Sequence, residues 1–302
     1  MAQGASVWMN GRFVPRESAT VPILSHGFSR GSAIFEIFRI HDGPLGPAAF
    51  RMDEHLKRLA NSARLLHMEM RFGRDEIAAA VKETVRQNAM KQGLVKILAY
   101  WGEEAVIQLV LASKLDLAIF AIPPTSDIPL DKEQPISACI SKWRKLHPET
   151  VPVEAKACAN YLNGYLARKN ALDRGFDTGI MLGTDGFVAE GSTESLFVVK
   201  NGVLKVPPLG RMLSSITRMS IQEVAGYLNI QTAETALVPD DLYEADELFL
   251  SFTGTKVLPI YRFEDRQLKT PGPVTQQLSA QMRAILEFKD ENFSHWFQPV
   301  GR

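Results

Sequence analysis

One stretch organises the interpretation of the whole sequence, and it reads Glu154-Ala155-Lys156-Ala157-Cys158-Ala159-Asn160-Tyr161-Leu162-Asn163-Gly164-Tyr165-Leu166. Lys156 stands between two alanines, which leave room around its amine. Apolar surroundings penalise the charged form of a lysine, and a neutral amine can attack an aldehyde. Taken alone, however, the stretch favours a surface lysine whose stem packs on apolar neighbours. The rest of the chain therefore decides between the two interpretations.

Four further segments accompany the lysine stretch, and they are His55-Leu56-Lys57-Arg58-Leu59, Glu190-Gly191-Ser192-Thr193-Glu194-Ser195-Leu196-Phe197, Leu213-Ser214-Ser215-Ile216-Thr217-Arg218 and Ser251-Phe252-Thr253-Gly254-Thr255. In type and order, the five segments resemble the class IV aminotransferases, enzymes that use pyridoxal phosphate (PLP). The branched-chain amino acid aminotransferases are the most similar branch. The resemblance runs from about Trp8 to Pro259, which is most of the chain.

Length and composition bound the class of protein. The chain has 302 residues, 45% of them hydrophobic, which is enough for two domains with full cores. The formal net charge is zero, so nothing indicates a nucleic acid or an anionic membrane as partner. No signal peptide is evident at the start, and the two cysteines make neither a metal spacing nor a disulfide framework. A cytoplasmic location is the simplest expectation.

The first part of the chain, residues 1–122, predicts an α+β domain with an antiparallel sheet. Asn10-Gly11 between two short apolar runs is typical of a hairpin turn. Apolar residues at helical spacing predict one helix after Asp53 and another over about 75–90. Strands are expected at Ile34–Ile40, Val95–Trp101, Val106–Leu111 and Leu115–Ile122.

The second part is predicted as a separate domain that carries Lys156, over 136–302. Paired prolines at Pro123-Pro124 indicate an extended linker, placed at 123–135. Helices are expected at about Tyr161–Asp173, Ser215–Leu228 and Val274–Phe288, with short strands between them. The resemblance implies a two-domain α+β and α/β architecture, the fold-type IV of PLP enzymes such as D-amino acid aminotransferase. It also implies that the cofactor lies in the cleft between the domains.

PLP requires an amine for its aldehyde, an anion for its ring nitrogen, donors for its phosphate and a partner for its ring hydroxyl. Lys156 is the candidate amine and the candidate general acid–base. Glu190 directly follows an apolar strand and is the candidate anion, with an ordinary loop glutamate as the plain alternative. The resemblance implies that Tyr161 bonds the ring hydroxyl and that Leu213 packs on the face of the ring.

The phosphate site is predicted at the helix that opens with Ser215-Ile216-Thr217, because free backbone donors and the helix dipole favour an anion there. A simple Ser or Thr cap is the alternative. Family members usually have proline and glycine where Ser214 and Ser215 stand, and serine keeps the side chain small. Arg58 can grip phosphate with paired bonds, unless it is a solvated surface arginine. Thr253 can add a hydroxyl and an amide.

The substrate pocket is where the chain departs from the branched-chain pattern. Related enzymes carry tyrosine where Arg30 stands, glycine where Ile37 stands, and a Tyr-x-Arg pair at the positions assigned to Val95 and Ile97. The pocket thus loses an aromatic wall and an arginine, and it gains a cation and a bulkier aliphatic side chain.

Arg30 has two interpretations. Facing the pocket, it would favour a substrate with an extra carboxylate or hold the α-carboxylate itself. Turned outward, it would pair with Glu36 or Asp53 and leave a plain apolar pocket. The amides of Thr253 and Gly254 remain candidates for the α-carboxylate.

The function that the resemblance implies is transamination between an amino acid, of branched-chain type, and a keto acid such as 2-oxoglutarate. It further implies a homodimer in which a partner loop completes each site. A D-amino acid or (R)-amine transaminase and a lyase like aminodeoxychorismate lyase remain open. A non-catalytic PLP-binding protein is disfavoured, since Lys156, Tyr161, Glu190 and Thr217 are all present. The six histidines show no metal-ligand spacing.

Overall fold

The computed structural model describes residues 5–125, 130 and 134–301. Contacts between residues divide the chain into two compact units. Unit 1 comprises Met1–Pro129, Ala155–Ala159 and Glu287–Arg302, and unit 2 comprises Leu130–Glu154 and Asn160–Leu286. Residues 126–129 and 131–133 of the predicted linker lie outside the described residues.

The strands of the described residues, in chain order, are β1 Ser6–Met9, β2 Arg12–Pro15, β3 Ala33–Gly43, β4 Gly46–Phe50, β5 Gly93–Tyr100, β6 Asp116–Ile122, β7 Ile136–Ile140, β8 Thr178–Leu182, β9 Val188–Glu190, β10 Ser195–Lys200, β11 Val203–Val206, β12 Thr232–Glu234, β13 Glu247–Ser251, β14 Leu258–Phe263, β15 Arg266–Gln267 and β16 Phe297–Pro299. The α-helices are α1 His26–Ser29, α2 Met52–Leu65, α3 Arg74–Gln87, α4 Tyr161–Asp173, α5 Ile216–Tyr227, α6 Pro239–Tyr243 and α7 Pro273–Leu286. Short 3₁₀ helices lie at Arg16–Ser18, Cys158–Asn160 and Glu291–Trp296.

Unit 1 is built on a seven-stranded antiparallel sheet in the order β16-β4-β3-β5-β6-β1-β2. The predicted hairpin is confirmed, with Met9 opposite Arg12 in register. Asn10 and Gly11 have φ of 50° and 92°. Two consecutive residues in the left-handed region make the turn that matches strand twist, which explains why the sequence has Asn-Gly there.

The core of unit 1 lies between one face of this sheet and helices α2 and α3. Leu56 and Leu59 of α2 and Val81 of α3 pack in one cluster with Phe38 of β3 and Ile97 of β5. Each of these side chains is at most 2% exposed. Burying a large aliphatic or aromatic side chain contributes about 1.5–3 kcal/mol, so this cluster fixes α2 firmly against β3.

The lysine stretch belongs to unit 1 because it pairs with β3. β4 pairs with β3 at Ile40–Gly43. Further along β3, the N–H of Phe35 donates to the carbonyl of Lys156 at 3.0 Å, and Ala157 forms a bridge with Ile34. The units therefore divide the chain differently from the predicted ranges 1–122 and 136–302: Lys156 and, through the pairing of β16 with β4, the C-terminal residues join the first unit.

Unit 2 has a mixed nine-stranded sheet with the path β12-β11-β10-β13-β14-β7-β8-β9, and β15 pairs with β14. The pairs β7–β8, β7–β14 and β11–β12 are parallel, and the remaining pairs are antiparallel. Its core includes Val198, Leu248, Leu250 and Ile260, all at most 2% exposed. Helix α4 occupies the predicted residues Tyr161–Asp173.

The predicted strand Val106–Leu111 is wrong, since this segment has no strand structure. β5 pairs directly with β6, so no place in the sheet remains for it. Four of its apolar side chains, Val106, Ile107, Leu109 and Val110, are between 70% and 89% exposed, whereas Leu111 at its end is buried in the core of unit 1. No helix of the described residues combines the length and the apolar composition that crossing a membrane requires.

Candidate active site

Lys156 is buried and its backbone is held on both sides. Its N–H donates to Ser62 Oγ of α2 at 3.0 Å, and its carbonyl accepts from the N–H of Phe35. The residue is 7% exposed between Ala155 and Ala157, which are also buried. Its Nζ lies 4.6 Å from the centroid of the Phe35 ring. An amine fixed in such apolar surroundings is suited to nucleophilic and acid–base chemistry.

Arg58 lies on α2 and binds a buried carboxylate. Its Nε and Nη2 donate to the two oxygens of Glu36 at 2.7 and 2.8 Å, and His55 Nδ1 lies 2.7 Å from Glu36 Oε2. Burial would raise the pKa of Glu36, but attraction to Arg58 and hydrogen bonds from Arg58 and His55 outweigh it and lower the pKa to about 2. Nε and Nη2 of the guanidinium are thus committed to Glu36, and the phosphate role predicted for Arg58 stays a prediction.

Successive side chains of β3 and β5 point to opposite faces of the sheet, so each strand contributes residues to both faces. Val95 and Ile97, predicted as substrate residues, are 0% exposed and pack in the core under the helices. They therefore do not share the face of Phe35, and we correct that assignment. Successive strand residues point to opposite faces, so an error of one position exchanges the faces.

Lys96 is the charged residue of β5 on the Phe35 face. It lies directly opposite Ile37 in register, and its Nζ is 5.2 Å from the centroid of the Phe35 ring. Lys96 and Lys156 thus bring two side-chain nitrogens near one aromatic ring. Burial raises the pKa of the nearby Cys158 thiol, and the two lysines act in the opposite direction on that pKa.

The predicted substrate residue Ile37 lies on this face, whereas Arg30 is exposed after helix α1. Arg30 Nη2 donates to the carbonyl of Val106 at 2.9 Å. The outward interpretation of Arg30 named Glu36 or Asp53 as its partner, but Glu36 is occupied by Arg58 and His55. A backbone carbonyl takes that place instead.

An apolar cavity of about 300 Å³ lies on the same face of unit 1. Ala33, Leu98, Tyr100 and Cys158 are among the residues that line it. Leu98 lies opposite Phe35 in register, and Tyr100 lies opposite Ala33. The surroundings of Phe35 therefore offer room for an aliphatic group.

In unit 2, three segments that carry candidate residues meet at one edge of the sheet. Ser195, the first residue of β10, lies opposite Ser251, the last residue of β13. β11 is antiparallel to β10, so its end at Val206 points toward the same edge. Glu190 ends β9 and is joined to β10 by a tight turn in which Gly191 N–H donates to the Glu194 carbonyl. Three segments therefore meet at this edge of the sheet: the Glu190 turn, the Thr253 loop and the chain that leads to α5.

Glu190 is buried, at 8% exposure, and lies opposite Met181 of β8 in register. Its Oε1 lies 2.5 Å from Nζ of Lys145, and both side chains are 10% exposed. Lys145 follows β7 in an irregular loop. A carboxylate in this setting can serve as the anion that a ring nitrogen requires.

Tyr161 is the first residue of α4, and a glycine lets this helix approach the Glu190 turn. A Cβ added to Gly164 would lie 2.1 Å from the carbonyl oxygen of Ser192, well inside any real contact. Ser192 Oγ in turn lies 3.2 Å from Thr178 Oγ1 of β8. Close packing of α4 against Ser192 therefore sets the position of Tyr161.

The predicted phosphate site lies at the start of the 12-residue helix α5. Ser215 is its N-cap, and its side chain accepts from the N–H of Arg218 at 3.2 Å. Ile216 and Thr217 are buried in the first turn, and Leu213 is half-buried just before it. The first N–H groups of a helix have no carbonyl within the helix, so this end can bind an anion as well as carry a serine cap.

The Thr253 loop follows β13, and two orphaned hydroxyls flank Thr253, one at the end of β13 and one in the loop. Ser251 Oγ and Thr255 Oγ1 are buried and have no hydrogen-bond partner among the described residues. Phe252 N–H donates to the Thr255 carbonyl, and a Cβ on Gly254 would lie 2.6 Å from the Phe252 ring. Buried hydroxyls normally have partners, so two of them beside Thr253 and Gly254 indicate a place where a polar ligand binds.

Three residues of this arrangement were not predicted as site residues: Glu36, Lys96 and Lys145. Lys96 could have been found, because it is the charged residue inside an otherwise apolar strand. Glu36 likewise interrupts the apolar run of β3, but its partner Arg58 lies 22 residues away; Lys145 gave no such signal, since it lies in a loop 45 residues from Glu190. In the described residues, no group of three or more His, Cys, Asp or Glu side chains could hold a metal ion.

Comparison with known proteins places this arrangement in a family. The model of the amino-transferase class IV family matches residues 33–263. The branched-chain-amino-acid aminotransferase of Salmonella typhimurium is 32% identical over 300 residues, which are 98% of this chain and 97% of that protein.

Solved structures agree with the sequence comparison. The branched-chain aminotransferase of Thermoproteus uzoniensis, solved with norvaline, is 35% identical, with a TM-score of 0.93 and coverage of 98% of this chain and 99% of that chain. The branched-chain amino acid aminotransferase of T.th., complexed with N-(5'-phosphopyridoxyl)-L-glutamate, is 32% identical, with a TM-score of 0.92 and coverage of 99% and 100%. The predicted family and fold class are confirmed.

Proposed function

Because the chain belongs to the class IV aminotransferases, we propose that it is a PLP-dependent branched-chain aminotransferase. It moves an amino group from an aliphatic amino acid to a keto acid such as 2-oxoglutarate. The similar proteins are branched-chain aminotransferases, and one was solved with a phosphopyridoxyl derivative of glutamate. The observation that carries the proposal is Lys156, a buried amine held over an aromatic ring by backbone bonds on both sides.

The residues present fit PLP. The helix start at Ser215-Ile216-Thr217 would hold the phosphate, together with Arg58 and the Thr253 loop with its orphaned hydroxyls. Glu190 would face the ring nitrogen, Tyr161 would bond the ring hydroxyl, and Leu213 would pack on the ring. When bound, PLP supplies an aldehyde and a conjugated ring that accepts the electron pair left by the departing α-proton.

The protein's own groups then hold and move protons. Lys156 takes the α-proton of the substrate and returns a proton during the transfer, because its amine is held in apolar surroundings. Glu190 keeps a proton on the ring nitrogen through its negative charge. The amides of Thr253 and Gly254 orient the α-carboxylate. Burial of Lys156 and Glu190 excludes water from both sites of proton exchange.

The face around Phe35 supports an aliphatic substrate. Ile37 and Leu98 lie on it with Phe35, and the apolar cavity extends along it. Lys96 provides one positive charge there, which suits the second carboxylate of 2-oxoglutarate or glutamate. An aliphatic donor and a dicarboxylate acceptor can therefore use the same face.

The assembly is a homodimer in a cytoplasmic setting. The exposed apolar segment of Val106, Ile107, Leu109 and Val110 supports the dimer, because contiguous apolar surface is typical of interfaces. The free cysteines Cys139 and Cys158 fit a reducing compartment.

Replacing the lysine tests the mechanism. Lys156→Ala should lose the visible absorption of covalently held PLP, and turnover should fall by roughly 10²–10⁴-fold or more, since the proton carrier is gone. The matched control is Lys169→Ala, which removes an exposed lysine paired with Asp173 on α4. Turnover of Lys156→Ala equal to that of this control would overturn the assignment.

A panel of amino donors tests the substrate. Leucine, isoleucine and valine should react with 2-oxoglutarate better than D-alanine or an (R)-amine. Activity with D-amino acids or (R)-amines alone would move the protein to a neighbouring branch of the family. Pyruvate release from aminodeoxychorismate without transamination would identify a lyase.

A further inference from the structure

Lys145 and Glu190 form a buried ion pair beside the proposed cofactor site. Lys145 Nζ lies 2.5 Å from Glu190 Oε1, and each side chain is only 10% exposed. Taking two charges out of water is costly, and removing one partner leaves the other charge buried without compensation. Removing the charge of Lys145 would therefore leave the Glu190 carboxylate buried without a cation in contact with it.

The backbone around Lys145 is fixed independently of the ion pair. Its N–H donates to the carbonyl of Leu182 in β8 at 2.8 Å. Asn163 of α4 clamps the residues on either side: its Nδ2 donates to the Arg144 carbonyl at 2.9 Å, and its Oδ1 accepts from the Leu146 N–H at 3.1 Å. Leu182 is adjacent to Met181, which lies opposite Glu190 in register. These contacts aim the lysine at the carboxylate.

Two other ion pairs near the turn do not include Glu190. Arg168 contacts Glu194, and Arg211 contacts Asp185. Each of these pairs brings together one positive and one negative charge. Lys145 is therefore the cation in direct contact with the Glu190 carboxylate.

We propose that Lys145 is a positioning residue that keeps Glu190 ionised, so that the shared proton stays on the ring nitrogen of PLP. The inference rests on the function proposed above. Between Glu190 and the ring nitrogen, the proton has two places: the nitrogen, with Glu190 charged, or the carboxyl, with both groups neutral. With Lys145 Nζ 2.5 Å from Glu190 Oε1, a positive charge in direct contact with the carboxylate would favour the arrangement in which Glu190 is charged.

The test follows the protonation of the ring directly. The holoenzyme is prepared with PLP labelled with ¹⁵N in the ring, and the nitrogen chemical shift is measured for wild type, Lys145→Met, Lys145→Gln and Lys145→Arg. Both neutral variants should move the shift toward that of neutral pyridine and lower kcat by roughly tenfold or more, with a smaller change in KM. Lys145→Arg should restore both values. Lys142→Met, which removes an exposed cation from the same loop, should match wild type.

The outcomes separate this inference from the proposed function. A wild-type ring nitrogen that carries no proton would overturn the role of Glu190 and that of Lys145 together. A protonated ring in wild type that stays protonated in Lys145→Met and Lys145→Gln would overturn the role of Lys145 alone. Failure of Lys145→Arg to rescue a shifted nitrogen would show that the charge is not what the lysine contributes.

Discussion

At the scale of single residues, two lysine side chains approach one aromatic ring of this site. Lys156 and Lys96 have their Nζ atoms 4.6 and 5.2 Å from the centroid of Phe35. Because we propose that Lys156 carries out the proton transfer, we propose Lys96 as a cation on this face that binds a substrate carboxylate. Arg30, the cation favoured from the sequence, is exposed and donates to the Val106 carbonyl.

Lys96→Met should therefore weaken the binding of dicarboxylate substrates and leave the binding of aliphatic substrates nearly unchanged. A charge-assisted hydrogen bond is worth on the order of 1.5–3 kcal/mol, so KM for 2-oxoglutarate or glutamate should rise roughly tenfold or more. KM for leucine should change little, because an aliphatic side chain has no charge for Lys96 to bind. Steady-state kinetics with both substrates measure the difference.

Arg30→Met is the matched control, since it removes the exposed cation. If Arg30→Met raised KM for the dicarboxylate and Lys96→Met did not, carboxylate recognition would belong to Arg30, as first interpreted from the sequence. Equal effects of Lys96→Met on leucine and on 2-oxoglutarate would argue against a role in recognising charge.

At the scale of elements, the buried carboxylate of Glu36 joins strand β3 to helix α2 through Arg58 and His55. Its pKa is lowered to about 2 from an ordinary value of 4.5. A group with a depressed pKa stabilises the fold above its unfolded pKa, and that contribution is lost as pH falls toward the folded value. The clamp between β3 and α2 is thus at full strength at neutral pH and weakens between about pH 4.5 and 2.

Glu36→Gln should lower the free energy of unfolding by about 3–5 kcal/mol at pH 7, because Arg58 is left as a buried charge without its partner. The stability difference from wild type should shrink as pH falls below 4.5. Urea unfolding at several pH values measures both effects.

Glu83→Gln is an informative control for the clamp. Glu83 also has a pKa lowered to about 2, mainly by hydrogen bonds from Arg86 and Gln87, but it lies on the exposed surface of α3. Solvent screens such a pair, so its loss should change stability little. A Glu36 variant as stable as the Glu83 variant would mean that burial does not strengthen the Glu36 clamp.

Also at the scale of elements, helix α4 packs closely against the Glu190 turn because residue 164 is a glycine. Gly164→Ala would place a Cβ 2.1 Å from the Ser192 carbonyl, so helix and turn must separate. We expect lower stability, by about 1–3 kcal/mol, and weaker PLP retention after dialysis, because Tyr161 and Glu190 lie on the two elements that move apart.

Gly226→Ala is the control for this substitution. Gly226 lies in α5, where an added Cβ would meet nothing within 4 Å. Alanine has the higher helix propensity, so this variant should be neutral or more stable by up to about 1 kcal/mol. Identical behaviour of the two glycine variants would contradict the packing argument.

At the scale of the whole molecule, the proposed dimer has a specific test. Ile107 is 89% exposed in the apolar segment. Burying such a side chain is worth about 1.5–3 kcal/mol and occurs twice in a symmetric dimer, so Ile107→Asp should raise the dimer dissociation constant by roughly 10²-fold or more. Analytical ultracentrifugation measures the change.

Activity should fall together with dimer content, since a partner loop is proposed to complete each site. Leu45→Asp is the control, because Leu45 is 74% exposed between β3 and β4, outside the apolar segment. A monomeric Ile107→Asp protein with full activity would show that each site is complete without a partner.

The sequence by itself determined the features that depend on short-range order. The Asn10-Gly11 turn, helix α4 at Tyr161–Asp173 and the family segments were all evident, because dihedral preference and apolar periodicity act within a few residues. The start of helix α5 was evident for the same reason, as Ser215 caps it three residues before Arg218, while its phosphate role stays a prediction.

Only the tertiary structure decided which distant groups meet. Glu36 pairs with Arg58, and Glu190 pairs with Lys145, because strands and helices far apart in sequence are brought within hydrogen-bond distance. It also decided that Lys96 rather than Val95 shares the face of Phe35, since register must be known to one residue before a strand's faces can be assigned. The segment Val106–Leu111 has the pattern of a strand, but no strand of the described residues pairs with it, and a strand is stable only when its backbone bonds to another.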